Sequence, residues 1–144
     1  MSLPGIQLQL LLRVVTLTVV LVCLLGCKKP QAARPDPHSP EAALAAMLQQ
    51  AKLLNEAASR NDLTYVHDYT YYFSTLAKSL ASKLNDEERK SLGNLFEQLS
   101  NLTEQLDMAS GRKHLEATQA SLTQLLATLK ELQTRYSAMK HPNG

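Results

Sequence analysis

The side chains most specialised for chemistry are few: four histidines, two cysteines, four methionines and a knot of tyrosines. His67-Asp68-Tyr69-Thr70-Tyr71 is the most unusual stretch, because Tyr65, Tyr69, Tyr71 and Tyr72 are four of the chain's five tyrosines. Tyrosine offers rigid contact area with a polar tip, so the cluster suits recognition of a protein or a planar ligand. Hydroxyls bonded to neighbouring helices are the structural alternative. His67 and His114, with Asp62, Asp68, Asp107 and Met108, supply the imidazole, carboxylate and thioether donors that a soft or borderline metal ion accepts. Two solvated surface histidines are the simpler account of the same residues.

The spacing of the remaining residues argues against catalysis. The sequence has no Gly-rich phosphate loop, no His-Glu-x-x-His, no Gly-x-Ser-x-Gly and no Glu-x-x-His pair. Glu87, Glu88, Glu97 and Glu104 fall on polar helix faces among Lys, Gln and Asn, and read as a solvated surface. A formal charge of +2, from 15 basic and 13 acidic side chains, lacks the clustered basic excess that a phosphate backbone requires, so no nucleic-acid partner is expected. The reading is of a non-enzyme.

Four helices position these residues. From Ser39 onward apolar residues recur at alternating spacings of three and four, the pattern of helices with one buried stripe. Ser39 reads as an N-cap and Pro40 as the first helical residue, and Leu44, Met47, Ala51, Leu54 and Ala58 form the first stripe. Asp62 caps a second helix with Val66, Tyr69, Phe73, Leu76, Leu80 and Leu84 inward. Asn85 and Glu88 form a capping box for a third, with Leu92, Leu95, Leu99, Leu102, Leu106 and Ala109 inward and Gly111 as a left-handed terminator. The fourth carries Leu115, Thr118, Leu122, Leu125, Leu129, Leu132, Tyr136 and Met139 before His141-Pro142 stops it. No window alternates with period two, so the class is all-α.

Four stripes joined by short links are buried most economically in an up-down-up-down four-helix bundle over 41–140, with a tail at 141–144. A coiled-coil oligomer is the competing architecture. In the bundle the first and third links share one end, which brings His67 and His114 to that end. His67 lies about 130° from the centre of its own helix's stripe, beside Tyr71, so its partners must lie across a helix boundary. Met47 and Met139 fall on core stripes at the opposite end. That placement resembles the axial-ligand layout of small periplasmic four-helix haem cytochromes, and the likeness implies haem as an alternative cofactor. The chain departs from that family in reading Arg135-Tyr136-Ser137-Ala138-Met139 where an Arg-rich helix bears a histidine ligand, and it has no Cys-x-x-Cys-His. Methionine as gap filler in a leucine core is the structural reading.

The N-terminal segment reads as an address. Val14 to Leu25 is an apolar run that follows Arg13 and is too short to span a hydrocarbon core, which takes about 20 helical residues. It closes on Leu24-Leu25-Gly26-Cys27, which resembles the lipobox of bacterial lipoproteins. The resemblance implies a signal peptide over 1–26 and an acylated N-terminal Cys27, carrying diacylglycerol and an N-acyl chain. Lys28, where many lipoproteins retained in the inner membrane carry Asp, implies the periplasmic face of the outer membrane as destination. Residues 28–40 hold four of the six prolines and no large apolar side chain, a solvated tether reaching up to roughly 40 Å in polyproline II form. The expectation is a lipid-anchored envelope protein presenting a helical bundle to periplasmic protein partners, with a metal- or haem-binding carrier as the alternative.

Overall fold

A computed structural model describes residues 38–141, which form four α-helices. They are α1 (Pro40–Ser59), α2 (Leu63–Lys83), α3 (Asp86–Gly111) and α4 (Leu115–Lys140), and no strand occurs among the described residues. Cys27, the leader and the tether through residue 37 lie outside the described residues, as do residues 142–144.

Each helix begins where a side chain satisfies its unbonded amides. Ser39 Oγ accepts from Ala42 N at 3.1 Å, with Pro40 in the first turn. Asp62 Oδ1 accepts from Tyr65 N at 3.0 Å. Asn85 and Glu88 exchange reciprocal bonds of 2.9 and 3.1 Å, the expected capping box, and His114 Nδ1 accepts from Ala117 N at 3.2 Å. Consecutive helices pack together and α1 also contacts α4, which closes a four-helix bundle. Links of two or three residues force each helix to run antiparallel to the one before it.

The α1–α2 and α3–α4 links repeat one geometry. Asn61 and Lys113 are left-handed, with φ of 58° and 59°. In each link the left-handed residue donates to the carbonyl three back, Asn61 to Ala58 and Lys113 to Ser110. The next residue, Asp62 or His114, donates to the carbonyl five back, at Ala57 or Ala109. This is a Schellman closure, and its last residue also caps the following helix. The left-handed terminator expected at Gly111 is therefore Lys113. Gly111 remains the last residue of α3, and α3 closes only where the chain must also place His114 as a cap.

The core is made of leucines with Met47, Phe73, Val66, Tyr136 and several alanines. It holds nearly all the predicted stripes. Three positions differ: Tyr69, Leu115 and Met139 are half-buried, and Thr70 occupies the inward place beside Tyr69 at 1% exposure. Thr70 tolerates burial because its hydroxyl donates to the Val66 carbonyl at 2.6 Å. Thr103 and Ser110 are buried by the same device, bonded to Leu99 and Leu106. None of the described helices is long and apolar enough to cross a membrane.

Candidate functional site

The two Schellman links mark one end of the bundle, and there α2 and α3 bring His67 to Asp107. The imidazole Nδ1 lies 3.0 Å from Asp107 Oδ1 and 3.3 Å from the Asp107 carbonyl oxygen. Two acceptor oxygens as neighbours require Nδ1 to carry a hydrogen and donate it. Both side chains are about half exposed. The ring also covers Gly111, where an added Cβ would sit 3.2 Å from His67 Cε1 and Nδ1. Lys113 Nζ fastens the same seam by donating to Thr64 Oγ1 at 2.6 Å. His67 thus finds its partner across a helix boundary, as its position on the helix requires.

The other candidates separate. His114 spends Nδ1 on capping α4, and Met108 is an exposed side chain on α3. Among the described residues no group of three or more His, Cys, Asp or Glu side chains gathers for a metal ion. Met47 is fully buried in the leucine core, and Met139 packs half-buried against it.

The tyrosines do not form one surface. Tyr65, Tyr69 and Tyr72 are half-buried against the core, and the Tyr65 and Tyr69 rings stack at 4.2 Å. Tyr71 lies on the other flank of α2, one turn from His67, and is 78% exposed. The exposed part of the site is accordingly Tyr71, His67 and Asp107 on the α2–α3 side, while Met108, the next residue of α3, is turned about 100° away from Asp107.

Glycine exchange tests how tightly His67 is held. Gly93 lies in α3 with nothing within 4 Å of an added Cβ, so Gly93→Ala will gain the helix propensity of alanine, about 0.5–1 kcal/mol. Gly111→Ala will gain less, because the His67 ring must give way, and will recover the full gain in a His67→Ala background. Denaturant melts of the four chains provide the cycle, and equal gains at Gly111 in both backgrounds would show that the ring does not press on this backbone.

A second polar cluster, not foreseen from sequence, lies at the opposite end. Tyr136 donates from its hydroxyl to Glu41 Oε1 at 2.6 Å, joining α4 to α1. Lys140 pairs with Glu88 Oε1 at 2.7 Å, joining α4 to α3, and its ammonium lies 5.3 Å from the Tyr136 ring centroid. The Tyr136 bond, followed by a backbone N–H, lowers the Glu41 carboxyl, and the Lys140 bond does most to lower Glu88. Burial first, then Glu41, pushes the Tyr136 phenol up to about 12. Beside the cluster α1 and α4 open a groove of about 520 Å³ with Leu44, Ala45 and Leu48 on its α1 wall. Glu41 and Lys140 border it, each already engaged by another side chain.

The pH dependence of stability follows from these directions. The two carboxylates are lowered in the folded state, so their contribution is present at neutral pH and is lost as pH falls through and below the ordinary carboxylate range. Tyr136 is raised, so its contribution is complete below pH 10 and is lost as pH climbs toward 12. Thermal melts will show both arms. Tyr136→Phe will flatten the alkaline one, and an alkaline arm identical in that variant would remove Tyr136 as its source.

Compared with known proteins, the chain matches no family model, and neither a curated protein nor a solved structure matches it.

Proposed function

We propose that this chain is a lipoprotein held by Cys27 on the periplasmic side of the bacterial envelope, on the outer membrane in preference to the inner. Its helical bundle serves as a non-enzymatic docking module for envelope proteins. The observation that carries the reading is Leu24-Leu25-Gly26-Cys27 at the close of an apolar run too short to span a bilayer. After removal of residues 1–26 the chain would have 14 basic and 13 acidic side chains, a net +1. More than one acyl chain makes such an anchor stable, since one chain alone binds only reversibly.

The docking surface is assigned to the link end, where Tyr71 and His67 are accessible and Asp107 fixes the imidazole. The imidazole is already held by Asp107 and a tyrosine has few rotatable bonds to freeze, which favours contact energy over ordering cost. The first residues of α1 lie at the other end of the bundle, apart from this surface.

Radiolabelled palmitate fed to expressing cells tests the anchor, and an unlabelled product would end the reading. Tyr71→Ala tests the surface. Its stability will stay within about 0.5 kcal/mol of wild type, because the side chain is mostly solvated, while recovery of a cross-linked envelope partner falls. Undiminished recovery would move the contact to another face.

A further inference from the structure

The bundle uses one helical-hairpin pattern twice. A shift of 52 residues carries α1, its link and α2 onto α3, its link and α4, placing Leu54 on Leu106, Phe73 on Leu125 and Leu80 on Leu132, all buried. Every buried residue of α1 falls on a buried residue of α3 except Leu44, which falls on half-buried Phe96. The same shift pairs the two Schellman corners, Asn61 with Lys113 and Asp62 with His114. The molecule therefore divides at Leu84–Asn85.

That middle link is closed differently. Leu84 and Asn85 are both extended, with φ and ψ of −76° and 146° and of −70° and 172°, and among the described residues no Schellman pair of backbone bonds turns the chain there. One side chain holds it instead. Arg89 donates from Nη2 to the Leu84 carbonyl at 2.9 Å, from Nε to the Ala81 carbonyl at 3.4 Å and from Nη1 to Asp86 Oδ1 at 3.4 Å. Carbonyls at the end of α2 lack intrahelical partners and favour a cation. Within each hairpin the backbone fixes the turn, and between the hairpins Arg89 does.

The polar bonds that join one hairpin to the other are His67–Asp107, Lys113–Thr64 and Tyr136–Glu41, and none of them involves the link. They and the leucine interior form equally well when the α1–α2 hairpin belongs to one copy and the α3–α4 hairpin to another. Only the turn at Leu84–Asn85, with its Arg89 clamp, belongs to the closed chain alone. A two-residue hinge is short enough to favour such exchange, and the high local concentration of tethered halves opposes it.

We infer that this chain pairs with a second copy of itself by exchanging hairpins about Leu84–Asn85, with Arg89 as the positioning residue that favours the closed monomer. The exchange leaves the Tyr71 surface intact and does not depend on acylation.

Sedimentation velocity of the full chain in mild detergent, after refolding from denaturant at high protein concentration, tests it. Wild type will contain a dimer that persists on dilution, because its release requires the hairpins to part. Arg89→Ala will raise the association constant, read at equilibrium, by about tenfold or more, since every monomer loses its charge-assisted clamp and the dimer has none to lose. Inserting Gly-Gly between Leu84 and Asn85 will return the chain to monomer, whereas copies that share a micelle or touch through outer faces would stay together. Circular dichroism will show the same helicity in all three. Wild-type and Arg89→Ala chains that both stay monomeric, an association constant unmoved by Arg89→Ala, or a dimer that survives the insertion overturns the inference.

Discussion

Palmitate label will be present on the wild-type chain and absent from a Cys27→Ser chain, which will also keep its leader and so run 26 residues longer. The difference follows from the thiol being the only group in the tetrapeptide able to form the thioether that the lipobox resemblance implies. Each buried methylene contributes about 0.8 kcal/mol, so two sixteen-carbon chains contribute on the order of 20 kcal/mol of membrane affinity. No contact made by the bundle approaches that figure. In a chain that begins directly at Lys28, membrane association will fall to what Lys28, Lys29 and Arg34 supply, about 1 kcal/mol per charge near an anionic surface. That residual will vanish in high salt, as an acyl anchor would not. A Cys27→Ser chain of wild-type size, or one that resists salt extraction after removal of residues 1–26, would refute acylation at this position.

Phe73→Ala will cost about 3–5 kcal/mol, the largest effect expected of a single side chain in the bundle. Phe73 is fully buried in the shared core, and its removal leaves a cavity that a close-packed leucine interior closes only in part. A domain of this size is stable by roughly 5–15 kcal/mol, so the variant will sit near the edge of folding and melt tens of degrees lower. Tyr71→Ala, two residues away on the solvent side, provides the internal contrast at about 0.5 kcal/mol or less. Equal melting shifts for the two would contradict the burial of α2.

The elements were legible in the sequence because start signals and apolar period agreed. Ser39-Pro40, Asp62 and the Asn85–Glu88 box all cap helices where they were expected to, and the leucine stripe of α3 is buried as read. The misreadings occur where a residue's type hides its local bonding. Thr70 ranks below Tyr69 in hydropathy, yet a threonine bonded to its own helix carries no unsatisfied group inward. Gly111 looked like a turn glycine, but its missing side chain accommodates the His67 ring. The meeting of His67 with the Asp107 end of α3 followed from link topology and helix rotation. The Tyr136–Glu41 and Lys140–Glu88 pairs did not, because each depends on the relative height of two helices, which apolar period leaves undetermined.

The Tyr136–Glu41 bond ties the first turn of α1 to the last turn of α4, so the polypeptide enters and leaves the bundle at a single pole. A fluorescent reporter appended after α4 would consequently start from the same pole as the tether and leave the Arg60–Asp62 and Arg112–His114 corners unobstructed. Joining the two ends with a short connector and cutting at Asn61 would yield a circular permutant whose new termini open at the opposite pole, with the leucine interior unchanged.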